Sequence, residues 1–107
     1  MLLWNYSDDP ASSAAMSTVV TVRGLPKDRR HILLTSYRID GTHSNAYAVW
    51  RGMGSPAHPT TEQLAELRRR AGLELLTSPV WVDVEDSHIT VPVLLPGESV
   101  SLLQLSW

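Results

Sequence analysis

Apolar and polar positions alternate along the first third of the chain and again along its last quarter, and between them the alternation stops. Leu2, Trp4 and Tyr6 alternate with Leu3 and Asn5, which predicts a strand with both faces at least partly buried. Trp4 falls within this apolar pattern and is expected in the core. Asp8, Asp9 and Pro10 then predict a turn, because the carboxylates accept main-chain hydrogen bonds and the proline blocks continuation. A second strand is predicted over 16–23, with Met16, Thr18, Val20 and Val22 on one face, ended by Gly24-Leu25-Pro26. A third is predicted over 31–39, with Leu33 packing to one side and Ile32 and Leu34 to the other.

After Asp40 and Gly41 the period lengthens. Ala46, Val49, Trp50 and Met53 recur at helical spacing, with Ser44 or Thr42 available to cap a helix over 44–53. Trp50 is expected in the core. The prolines of Ser-Pro-Ala-His-Pro stiffen the link that follows. Thr60 with Gln63 three residues on spells a capping box for a second helix. Leu64, Leu67 and Ala71 form its expected buried stripe, Glu66 and Arg70 an exposed ion pair, and Gly72 its stop. The run Arg68-Arg69-Arg70 reads as a solvated last turn that complements the helix dipole.

Alternation resumes at Val80. Val80, Val82 and Val84, the turn Glu85-Asp86-Ser87, and then Ile89, Val91 and Val93 predict a hairpin, with Pro92 marking an edge or a bulge. Leu95-Pro96-Gly97-Glu98 predicts a type II turn. Val100, Leu102 and Gln104, alternating with Leu103, Leu105 and Trp107, predict the final strand. The fold class is mainly β: an antiparallel sandwich of the immunoglobulin or fibronectin kind, of six strands. A helix-loop-helix insertion at about 42–73 lies between the third and fourth strands.

Composition narrows the function. A chain of 107 residues is one domain with one modest core, and 43% hydrophobic with 19% charged residues is ordinary globular content. A net charge of −2 gives no electrostatic case for nucleic acid or an anionic membrane as partner. No signal peptide is visible, so a cytoplasmic location is expected. With no cysteine, disulfides and thiol chemistry are excluded together.

Candidate chemistry centres on Arg38, Asp40 and His43. Asp40 and His43 are too few for a metal site, and no cofactor is implied. A triad of Ser44, His43 and Asp40 would crowd within five residues a geometry that is normally assembled from distant segments. Asp8 and Asp9, as strand-end neighbours, point to opposite faces and cannot form the facing pair a glycosidase needs. A loop fixed by hydrogen bonds is the expectation, with Arg38 paired to Asp40 or its neighbours and His43, Ser44 and Asn45 bonded to main chain. Trp81 and Trp107 are candidates for sugar stacking, with Tyr47 beside them.

The run RIDGTHSNAYAVWRGMGSPAHPTTEQ, residues 38–63, resembles the segment after the catalytic barrel in glycoside hydrolase family 39, the β-xylosidases and α-L-iduronidases. LLWNYSDD and VRGLP resemble the two preceding strands of that family. Together they cover about the first two-thirds of the chain, and the match is nearer the bacterial β-xylosidases. Gly41 departs from the family pattern, where a polar or acidic residue is usual. The family carries its two catalytic glutamates on a (β/α)8 barrel of about 250 residues. None of Glu62, Glu66, Glu74, Glu85 or Glu98 resembles them. The resemblance therefore implies a single accessory sandwich over 1–107, without the barrel and without catalytic residues. Its implied partners are the barrel of the parent enzyme and a further copy in a homo-oligomer. Arg38, Asp40, His43, Ser44, Asn45, Tyr47 and Trp50 would fix the insertion or face the barrel. The alternative is a carbohydrate-binding module for xylo-oligosaccharides.

Overall fold

The computed structural model describes residues 1–9 and 14–107. The expected turn at Pro10 lies outside the described residues. Among these residues seven strands and two helices follow in the order β1 (Leu2–Asn5), β2 (Met16–Arg23), β3 (His31–Ile39), α1 (Ala46–Gly52), α2 (Thr61–Arg70), β4 (Glu74–Leu75), β5 (Val80–Asp83), β6 (His88–Leu95) and β7 (Ser99–Ser106). The fold is mainly β and antiparallel, with two sheets and the helical insertion after the third strand. The strand beyond the six expected is β4, two residues that pair Leu75 with Tyr37 and Glu74 with Arg38.

The larger sheet runs β1-β7-β3, with β4 and β5 both pairing the far edge of β3. The smaller is β2 with β6 alone. Their inner faces enclose a core of Ile32, Leu34, Ile89, Val91, Val93, Leu95 and Leu103, joined by Leu25. The sequence reads Leu25 only as part of a turn. In the structure its N–H donates to Ser87 O at 3.0 Å and its side chain closes one end of the core.

The expected hairpin of β5 and β6 does not form. Asp86 and Ser87 both adopt positive φ, at 46° and 61°, as a tight two-residue turn requires. Pairing stops at the single bridge Glu85–His88, because β5 then joins β3 while β6 joins β2 in the other sheet. Burial of Val82 and Ile89 against the common core outweighs a local ladder. Pro92 sits opposite Val19 in the two-strand sheet, where every strand is an edge. At the next crossing Glu98, not Gly97, takes the left-handed conformation (φ 55°), so the expected type II turn is replaced by a three-residue loop ending in a left-handed residue.

Trp4 is not in the core: it is 66% exposed. β1 is an edge strand whose inward positions are Leu3 and Asn5, so the alternation turns Leu2, Trp4 and Tyr6 outward. The stripe on α2 is not buried either. Leu64 and Ala71 are exposed and neither helix has a fully buried residue, because α1 and α2 pack on each other and project from the sandwich. The radius of gyration is 17.4 Å, against about 13 Å for a compact domain of this length. Among the described residues no helix is long and apolar enough to cross a membrane.

Candidate functional site

The polar residues singled out in the sequence converge where β3 gives way to the helical insertion. β3 alternates, so Ile32, Leu34, Ser36 and Arg38 face inward, and Arg38 is 4% exposed. A guanidinium placed there must find partners. Its Nε donates to Ser101 Oγ at 2.7 Å on β7, and its Nη2 to Leu94 O at 2.8 Å on β6. Nη1 lies 3.7 Å from Asp40 Oδ2. One side chain thus spans both sheets and reaches the first turn of the insertion.

Asp40 Oδ1 collects four donors. The main-chain N–H groups of Thr42 and His43 donate at 2.8 Å each, Thr42 Oγ1 donates at 3.1 Å, and His43 Nδ1 lies at 3.0 Å. A carboxylate only accepts, so this contact places the His43 ring proton on Nδ1. Burial pushes the Asp40 carboxyl upward more than any single bond lowers it, but the four hydrogen bonds together bring it down to about 2. The group is therefore a fixed anion.

Ser44 has φ of 51° and stays there because three bonds hold it. Its Oγ donates to Arg38 O at 2.8 Å and accepts from Glu74 N at 2.7 Å, while its own N–H donates to Glu74 Oε1 at 3.1 Å. Asn45, not Ser44 or Thr42, caps α1: its Oδ1 accepts from Ala48 N at 3.0 Å, and its Nδ2 donates to Asp40 O at 3.0 Å. Thr60 and Gln63 complete both halves of the capping box on α2. Tyr47 and Trp50 stack at 5.8 Å, with Trp50 half-buried rather than in the core and its Nε1 donating to Pro56 O at 3.0 Å.

Ser101, Glu74 and Arg70 also belong to this network, and the sequence reading assigned them no part in it. Arg70 Nε donates to Glu74 Oε1 at 2.9 Å and its Nη2 to Thr42 O at 3.1 Å, and the expected ion pair with Glu66 is also present, with Nη1 4.0 Å from Oε1. The Arg70 guanidinium is foremost in lowering the Glu74 carboxyl. Glu66 pairs with Arg69 as well.

Chemically this arrangement holds groups still. The Ser44 hydroxyl proton is directed to a carbonyl and makes no contact with His43, so the three residues do not form a nucleophile and base. Among the described residues no cluster could hold a metal ion. Asp83 and Glu85 share a shallow groove of about 160 Å³, below the roughly 300 Å³ of a small-molecule site. They stand side by side along one strand direction, and Asp83 is engaged by His31 at 2.7 Å. Trp81 and Trp107 lie outside this network, 68% and 58% exposed.

A two-sheet antiparallel sandwich with a helical hairpin pinned between its third and fourth strands is the class that fold and site define. The chain belongs to glycosyl hydrolases family 39, whose model matches residues 1–75. No curated protein matches it. Among solved structures it is similar to the bacterial orthologue of human α-L-iduronidase, at 24% identity and TM-score 0.75 over 94% of this chain and 18% of that one. It is similar to the GH39 enzyme from Xanthomonas axonopodis pv. citri, at 17% identity and TM-score 0.73 over 98% of this chain and 23% of that one. The monomeric β-xylosidase from Caulobacter crescentus CB15 gives the same four values. The chain thus spans less than a quarter of the length of each.

Proposed function

We propose that this chain is the non-catalytic sandwich of a β-xylosidase-like glycoside hydrolase, folded against a sugar-cleaving barrel carried by the rest of the parent enzyme. The observation that carries this reading is coverage: the similar enzymes match nearly all of this chain with 18–23% of their own. The inward direction of the polar network supports it. Arg38, Asp40, Ser44 and Asn45 spend their hydrogen bonds on their own chain and fix the insertion. Incubation of the 107-residue chain with chromogenic xylosides and iduronides tests this, and no hydrolysis above buffer is expected. Turnover abolished by a single point substitution would overturn the reading.

The exposure of Trp81, Trp107 and Tyr47 favours a second reading, a module that stacks xylo-oligosaccharides on aromatic rings. Titration with xylo-oligosaccharide followed by amide chemical shifts decides it. Localised shifts at those residues support it, and none at millimolar sugar removes it.

A further inference from the structure

Between β2 and β3 the chain places Lys27, Arg29 and Arg30 within four positions. Gly24 begins this loop at a φ of 80°, and Arg29 N–H donates back to Pro26 O at 3.2 Å. Two main-chain bonds tie the loop to the turn between β5 and β6. Leu25 N–H donates to Ser87 O at 3.0 Å, and Val84 N–H donates to Arg30 O at 2.9 Å. The two segments line a cleft of about 470 Å³, above the roughly 300 Å³ of a small-molecule site. Three cations line it against one carboxylate, that of Asp86.

These cations lack counter-charges of their own. Among the described residues the side chains of Lys27 and Arg30 make no hydrogen bond or ion pair. Arg29 has only Asp28, whose Oδ2 lies 3.9 Å from its Nε with both groups in solvent. Such an exposed pair binds little. The arginine run of α2 differs, since Arg69 pairs with Glu66 and Arg70 with Glu74. Like charges held over one concave surface repel each other and concentrate anions from solution.

The lining selects among anions. Single-stranded nucleic acid stacks its bases on aromatic rings, and no aromatic residue is among those described in this cleft. A lipid buries its chain in apolar surface, and only Pro26 and Val84 supply any here. An acidic peptide adding as a strand needs free main-chain groups, but those of Leu25, Arg30, Val84 and Ser87 that face the cleft's two segments are already bonded to each other. A hydrophilic polyanion fits. Guanidinium forks take carboxylate or sulfate groups through parallel hydrogen bonds, and the Ser87 hydroxyl and Asp86 carboxylate lie in the same lining for sugar hydroxyls. We infer that this cleft binds an acidic saccharide, one bearing carboxylate or sulfate groups, through Lys27, Arg29 and Arg30. The site is separate from the aromatic platforms, since none of Tyr47, Trp81 and Trp107 lines it.

The test titrates the 107-residue chain with trigalacturonate, neutral xylotriose, hexaglutamate and inorganic sulfate, each at equal millimolar concentration, and follows amide chemical shifts. Trigalacturonate alone is expected to move residues 26–30 and 84–87. Its affinity should fall about fivefold or more between about 20 and about 200 mM salt, as charge contacts require. Lys27→Ala with Arg30→Ala, both at exposed positions, should weaken it by a similar factor. Arg68→Ala on α2 should leave it unchanged. Equal shifts with xylotriose would show that charge plays no part, and equal shifts with sulfate that the cleft gathers counter-ions only. Either outcome overturns the inference, as does stronger binding of hexaglutamate or an equal loss in Arg68→Ala. The accessory-domain reading stands or falls separately, on turnover.

Discussion

The guanidinium of Arg38 reaches from the third strand to the main-chain carbonyl of Leu94, 2.8 Å away in the opposite sheet. With Ser101 on a second bond and Asp40 beside it, the side chain ties two sheets and the start of the insertion at one point. Substitution by methionine keeps the volume and removes all three partners. Arg38→Met should cost about 3 kcal/mol, because Asp40 is left a buried anion and Ser101 a buried hydroxyl. Arg38→Lys should lose roughly half as much, since an ammonium keeps the charge but not the planar fork. Urea denaturation measures both. A loss in Arg38→Met no larger than in Arg38→Lys would remove the case for the guanidinium as the tie.

Asp40 predicts how stability falls in acid. Its carboxyl is lowered from 3.8 to about 2, so the folded state favours the anion. The linked stability is present above pH about 4 and is lost as the pH falls through about 2, and it amounts to roughly 2 kcal/mol. Asp40→Asn should be less stable than the parent by about that amount at pH 7, with the gap closing toward pH 2. Urea midpoints across this range test the sign. A gap that stays constant down to pH 2 would show that Asp40 acts through shape rather than charge.

Thr60 predicts where a local loss stays local. Its hydroxyl accepts from Gln63 N at 3.2 Å, and its own N–H donates in return to Gln63 Oε1 at 2.9 Å. Thr60→Ala should cost α2 about 1 kcal/mol. Because the helices rest on each other and not on the core, amide exchange should quicken across 61–70 and leave β3 and β7 unchanged. Equal loosening of the sheets would mean that the hairpin supports the sandwich.

The two-strand sheet predicts self-association. Among the described residues β2 and β6 pair only with each other, leaving an open edge on each beside exposed Val19 and Leu94, and open edges pair with other chains. Sedimentation of the 107-residue chain should show mass rising with concentration, and Val19→Lys should lower it. A single monomer species across the range speaks against an open edge.

What the sequence disclosed was what local physics decides. The capping box at Thr60, the alternation of β2 and β3, and the break after Asp40 are all set within a few residues. Partner choice is not. The Glu85-Asp86-Ser87 turn was legible, but whether β5 and β6 stay together depends on β3 and β2 far away in the chain. Trp4 reads as core by composition, and only its place on an edge strand turns it outward. For Glu74 a signal was present: it lies four residues beyond Arg70, the spacing already used to assign Glu66 on the other side. Ser101 gave no signal, since its meeting with Arg38 is fixed by the β3–β7 register alone.

Ser44 and Glu74 clasp each other by two hydrogen bonds across a gap of 30 positions. The excursion therefore leaves and re-enters the sheet through a narrow neck, with Tyr37–Leu75 and Arg38–Glu74 pairing just inside it. A neck of that kind lets one genetic event lengthen, shorten or delete the helical hairpin while the sheet beneath keeps its pairing. Lineages of this fold can accordingly differ most at the hairpin without disturbing what the sandwich rests upon.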